Sequence, residues 1–253
     1  MPDQIEWNFK LIAHHELAGF GGMGEGMSIQ IAPDGRRIIW LAHESAPKNF
    51  TAVDVSDPRK PKVVCQTKLP QGYMRSNSLE ITDQVMAVAY QCQKAGQKPA
   101  GFELFDISTP EKPKSIAFVD CSGPHSRGVH QLWFADGEYV HMAAGSEDFE
   151  PTNPNDDQIY RCFDVRNPSK PTEVGRWWMP GTREGDSAPP PVRHTAPAIG
   201  RDLDRHAFAH AAEAVERMLG EQLEVPRNRV VGAFLQAFAD GHFWLPPICA
   251  GRM

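Results

Sequence analysis

The segment Gly123 to His130, GPHSRGVH, places two imidazoles and a guanidinium close together in the chain. Arginine and histidine in company suit an anionic ligand, because the guanidinium offers a fork of donors and the imidazole adds a donor near neutral pH. His125 and His130 stand five apart, which is not the helical i, i+4 spacing of a zinc protease, and no helical glutamate accompanies them. The segment therefore reads as a loop entering a strand. In GFGGMGEG, Gly19, Gly21 and Gly24 fall in G-x-G-x-x-G order, a pattern that cradles phosphate where a strand hands over to a helix. Here MSIQIAPDGRRIIW follows and alternates like a strand, so the glycines read as a turn. The acidic stretch GSEDFEPTNPNDDQIY lacks the D-x-[DN]-x-[DN]-G order of a calcium loop and reads as a solvated hairpin loop. No serine lies in G-x-S-x-G and no two cysteines form C-x-x-C, so nucleophilic catalysis finds no support.

Composition bounds the partners. The 253 residues are 41% hydrophobic and 23% charged, which is ordinary for a soluble globular chain. A net charge of -6 with scattered lysines and arginines gives no footprint for nucleic acid. No apolar run approaches the roughly 18 residues of a membrane helix, so no membrane partner is expected. The first residues, MPDQIEWNFKLIAHHELAG, do not read as a secretory signal. Five cysteines, Cys65, Cys92, Cys121, Cys162 and Cys249, are an odd set that fits free thiols in a reducing compartment, and the cytoplasm is the expected location.

The elements that would position these residues are repeated. FTAVDVSDPRKPKVV from Phe50, FELFDISTPEKPKSI from Phe102 and YRCFDVRNPSKPTEV from Tyr160 are versions of one phrase. Their aspartates, Asp54, Asp106 and Asp164, are 52 and 58 residues apart, a period that belongs to blades or arrays. Two prolines follow each aspartate, and proline cannot donate to a ladder, so they must lie between strands. The aspartates themselves would accept backbone N–H bonds in that turn. MSIQIAPDGRRIIWLAHE, NSLEITDQVMAVAYQ and HQLWFADGEYVHMAAG each give two strands around a tight turn. With the strands on either side of the prolines, each unit has four antiparallel strands, as in a propeller blade.

The chain in this respect resembles the LVIVD-repeat β-propeller proteins, on the strength of FTAVDVSDP, FELFDISTP and RCFDVRNP, over roughly residues 9–186. The resemblance implies a propeller and often no assigned activity. The expected fold is all-β, a partial β-propeller of about three four-stranded blades at 27–70, 77–121 and 130–180, within residues 1–190. In that frame Met27, Asn77 and His130 head the inner strands at equivalent positions. Arg75, Asn77, His125, Arg127 and His130 then form a candidate ligand-binding rim. No metal and no cofactor is required; His43, His130 and His194 are the residues that would come into question as metal ligands.

Three blades are fewer than the four to eight that close a propeller. After Pro191 the pattern changes: Phe208, Ala211, Ala212, Val215, Met218, Leu219 and Leu223, then Val230, Val231, Phe234, Leu235 and Phe238, fall at helical spacing. A short α-helical hairpin is expected within 191–253. It is a helical appendage over an open blade edge, or an oligomer supplies the missing blades through a blade edge or the tail, or the sequence is a truncated or frameshifted reading of a longer gene. The first functional reading is a non-enzymatic scaffold whose rim binds a protein or small ligand. The alternatives are a metal-dependent, oxidase-like enzyme using histidines at the channel mouth and a tail-mediated oligomerisation module.

Overall fold

Period-two alternation in each repeat becomes a four-stranded antiparallel sheet in a computed structural model that describes residues 10–19, 23–45 and 47–191. Sheet 1 is built from β1 (Met23–Ile31), β2 (Arg37–His43), β3 (Lys48–Asp54) and β4 (Lys62–Lys68), neighbours in that order. Sheet 2 repeats the order with β5 (Met74–Thr82), β6 (Val85–Cys92), β7 (Gly101–Asp106) and β8 (Lys114–Asp120). A small hairpin, β9 (Ser122–Gly123) and β10 (Ser126–Arg127), precedes sheet 3, made of β11 (Val129–Trp133), β12 (Tyr139–Ala144), β13 (Ile159–Asp164) and β14 (Thr172–Trp177). The described residues contain no α-helix, only a 3₁₀ turn at Leu17–Gly19. No helix among them is long and apolar enough to cross a membrane. The expected helical hairpin and His194 lie outside the described residues.

The prolines and aspartates stand where their chemistry requires. Asp54, Asp106 and Asp164 close the third strand of their sheets, and each Oδ1 accepts the backbone N–H two residues on: Ser56 at 2.9 Å, Ser108 at 2.9 Å and Arg166 at 3.0 Å. A tight turn follows in every repeat, with Lys60, Lys112 and Lys170 N–H donating to the carbonyls of Asp57, Thr109 and Asn167. The repeated phrase is thus a turn that sets the third strand against the fourth.

Adjacent sheets pack through alternate residues. One core joins sheets 1 and 2 through Ile38, Trp40, Ala42, Phe50 and Ala52 against Met74, Leu79, Met86, Val88 and Tyr90. A second joins sheets 2 and 3 through Ala87, Ala89, Phe102 and Leu104 against Leu132, Phe134, Val140, Met142 and Phe163. The first strands lie side by side, β1 against β5 and β5 against β11. Gly26 permits the first of these approaches, since a Cβ there would sit 2.3 Å from the Leu79 backbone nitrogen.

The first strands carry a register shift at one common place. Pairing skips Asn77 between Ser76↔Tyr90 and Ser78↔Ala89, skips His130 between Val129↔Ala144 and Gln131↔Ala143, and shifts between Met23↔His43 and Met27↔Leu41. Counted from the repeated aspartates, Met27 opposite Leu41 takes the place of Leu79 opposite Val88 and Leu132 opposite Met142. The expected equivalence of Met27 with Asn77 and His130 is therefore two residues out, because β5 and β11 begin before their bulges and reach the residue that matches Met27 only two positions after them. The bulges also let β1 and β5 begin earlier than the alternation suggests, at Met23 and Met74.

Candidate functional site

Two of the expected rim residues, Asn77 and His130, are the extra residues of the β5 and β11 bulges. A bulge re-aims its side chain out of the ladder, and here it brings the two together. The Asn77 amide Nδ2 donates to the His130 carbonyl at 2.8 Å and lies 3.3 Å from His130 Nδ1. Gly128, at φ +90° and with no room for a Cβ beside the Tyr90 carbonyl, lets the chain entering β11 bridge to Gln91 at the end of β6. His130 Nδ1 consequently sits 3.2 Å from Gln91 Oε1. The same oxygen accepts Arg75 Nε at 3.0 Å and also Arg75 Nη2. Glu44, after β2, stands 3.9 Å from Arg75 Nη1. Arg75, Asn77, Gln91 and His130 thus form one polar cluster where the first strands of sheets 2 and 3 begin.

Burial grades this cluster. Asn77 and Gln91 are buried, whereas the Arg75 side chain keeps 34% of its surface and His130 is half-buried. Asn77 Oδ1 is buried with no protein donor. A buried carbonyl in that state costs about 1–3 kcal/mol unless something donates to it. The cluster therefore holds one buried acceptor on the residue bonded to His130, with a half-exposed guanidinium bound to the neighbouring Gln91.

His125 and Arg127 belong to a second group. Arg127 Nε and Nη2 grip Asp157 Oδ2 and Oδ1 at 2.8 and 2.7 Å, and Gln158 Nε2 adds a bond at 3.0 Å to Oδ2. The Asp157 side chain is 1% exposed, and its hydrogen bonds to Arg127 hold that guanidinium above its ordinary pKa. His125 Nε2 lies 3.6 Å from Glu150 Oε1, both side chains largely exposed. This corrects the reading of the acidic stretch as a merely solvated loop: Asp157 is a buried strut, and Asp148 is bound by Arg176 at 2.7 Å. Arg127 is committed to that strut through the Nε–Nη2 edge of its fork.

His43 does not join the rim either. It is fully buried, its Nε2 2.8 Å from Thr51 Oγ1 and its backbone N–H bonded to Ser76 Oγ at 3.0 Å. Gly19, at φ +73°, leads to β1 and not to a helix, as a glycine turn does. Among the described residues no three His, Cys, Asp or Glu side chains come together to hold a metal ion. Gln91 and Asp157 are the partners of the candidate residues that motif reading missed. A glutamine inside VMAVAYQC and one acid among five in a loop carry no spacing signal; only the fold makes them partners. Compared with known proteins, the chain matches no family model and no curated protein.

Proposed function

We propose that the three sheets are blades of a β-propeller of the LVIVD-repeat kind, and that the chain is a binding scaffold whose mouth is the Arg75–Asn77–Gln91–His130 cluster. Three meander sheets packed face to face with their first strands side by side support the blade reading. The observation that carries the binding reading is the buried, undonated Asn77 Oδ1 in the cluster that also holds Arg75 and His130. A ligand that presents a carboxylate to Arg75 and an N–H or O–H to Asn77 matches that arrangement. A free α-amino acid or an acidic peptide has both groups. The described cysteines are free thiols, which suits a reducing compartment, and we place the protein in the cytoplasm.

The test is a thermal-shift and calorimetric titration of the full chain with free amino acids and short acidic peptides. Arg75→Ala should weaken whichever probe binds by roughly tenfold or more, the loss of a charge-assisted hydrogen bond. Equal binding by wild type, Arg75→Ala and Asn77→Ala would sink the assignment.

A further inference from the structure

Arg75 and Glu44 set opposite charges side by side at the mouth, and the way each is held decides what can bind there. Arg75 lies at the start of β5, and Glu44 follows the end of β2. Arg75 Nε and Nη2 both donate to Gln91 Oε1, which leaves Nη1 as the guanidinium nitrogen outside that grip. Glu44 Oε1 stands 3.9 Å from Nη1. A hydrogen bond between ions of this kind closes to about 2.7–2.9 Å, so the two are neighbours without being locked together. Their side chains keep 34% and 42% of their surface, and a ligand can reach both.

The neighbouring groups are fixed in orientation. Arginine has only donors, so the Gln91 atom that Arg75 holds is the oxygen. That oxygen only accepts, and His130 Nδ1 at 3.2 Å from it must therefore carry the ring hydrogen. The Asn77 amide is set by the His130 carbonyl, which also only accepts: Nδ2 is the atom 2.8 Å from it, and Oδ1 is the buried atom without a donor. Apart from the imidazole, the cluster thus presents one cation, one anion and one neutral acceptor.

We infer that the ligand of this site is a free α-amino acid bound as its zwitterion, and not an acidic peptide. The inference rests on the binding reading of the cluster and narrows it. The carboxylate goes to Arg75 Nη1 and the ammonium to Glu44, two opposite charges near enough for groups that are separated by a single carbon in the ligand. An ammonium has several N–H donors and a carboxylate none, so the undonated Asn77 Oδ1 also suits the ammonium end. An acidic peptide differs on both counts. Its internal amides are uncharged with one N–H each, and its additional carboxylates are repelled by Glu44. A ligand without net charge complements a pair without net charge.

Calorimetric titration of the full chain tests this on the wild type before any variant is made. The probes are the common free L-amino acids, the N-acetyl and α-amide forms of whichever binds, and N-acetyl-triglutamate as the acidic peptide. A free amino acid should bind roughly tenfold or more tightly than its N-acetyl form, the worth of a charge-assisted hydrogen bond. Glu44→Gln, an isosteric change at an exposed position, should weaken the free amino acid by roughly tenfold and leave the N-acetyl form unchanged, so that the two converge. If Glu44→Gln does not fold by circular dichroism, the comparison of the two forms on the wild type decides alone. Tighter binding of every carboxylate probe by Glu44→Gln would mean that Glu44 competes with the ligand for Arg75, and would overturn the inference. Equal binding of the free and N-acetyl forms, or tighter binding of N-acetyl-triglutamate, would overturn it as well, while leaving Arg75 as a carboxylate site. Only if no probe binds, or if Arg75→Ala binds them all as the wild type does, does the binding reading fail with it.

Discussion

A carboxylate that accepts the N–H two residues ahead holds a turn most strongly while it is ionised. Asp54, Asp106 and Asp164 are in that position, and all three are held below the usual 3.8. The causes are the Ser56 amide for Asp54, the Ser108 hydroxyl and amide for Asp106, and the Arg166 guanidinium for Asp164. Since the folded value is depressed, the stabilisation is complete above the unfolded pKa and disappears as pH falls through the folded one. Asp106→Ala should cost about 1 kcal/mol at pH 7, the net worth of one hydrogen bond, and the difference from wild type should shrink below about pH 4. Urea melts at pH 7 and pH 3 measure both. Equal differences at the two pH values would mean the side chain acts by something other than its charge. The role of these aspartates was legible in the sequence because it is local, spanning two residues. The cysteines obey a different local rule. Burial pushes Cys92 and Cys121 up to about 11 and Cys162 up to about 12, and all three are under 4% exposed. A thiol must be ionised and reachable to be alkylated. Iodoacetamide at pH 8 should therefore leave these three unlabelled in the native protein and label them in urea, as peptide mass mapping would show.

Between elements, the interlock of sheets 1 and 2 depends on one tryptophan and one glycine. Trp40 is fully buried; its Nε1 donates to Gln30 Oε1 at 2.8 Å, and Gln30 Nε2 passes the bond on to the Ile107 carbonyl at 2.7 Å. Trp40→Phe keeps a ring but strands the Gln30 carbonyl, at a cost of about 1–3 kcal/mol. Trp40→Ala adds a cavity and should cost about 3–5 kcal/mol. Gly26→Ala acts in the opposite sense, pushing a methyl into the backbone of β5, and should cost about 1–3 kcal/mol by overpacking. Equilibrium unfolding of the three variants ranks them; a Gly26→Ala protein as stable as wild type would contradict the close approach of β1 and β5. The strands and proline turns could be read from the sequence because a strand writes its period into its residues. The bulges could not, because Asn77 and His130 lie near the starts of their strands, where too few residues precede the inserted one to reveal the change of phase. Nor could the Arg127–Asp157 strut, whose members are 30 residues apart in segments with no common pattern.

For the whole molecule, the repeat announced the three four-stranded sheets of the described residues, while their joining depends on residues that differ from sheet to sheet. Trp40, Ala87 and His141 hold equivalent positions in their sheets, opposite Ala52, Leu104 and Cys162. Sheet 3 alone has a titratable group there, and that gives the fold a pH dependence in the neutral range. His141 is 7% exposed, its Nδ1 2.7 Å from the Tyr160 hydroxyl, with Tyr139 6.5 Å away between ring centroids. Burial lowers its pKa below 6.5, and Asp136 opposes that shift only in part. The folded chain therefore resists a proton that the unfolded chain accepts near pH 6.5, so the neutral imidazole's contribution is complete above that pH and is lost as pH falls. Wild type should lose stability in two stages, the first below about pH 6.5 from His141 and the second below about pH 4 from the aspartates. His141→Phe removes the titratable group and should abolish the first stage while leaving the second. Urea midpoints at intervals from pH 8 to pH 3 resolve the two. If His141→Phe and wild type decline in parallel between pH 7 and pH 5, the loss arises elsewhere in the chain, and the third sheet is no more sensitive to acid than the first two.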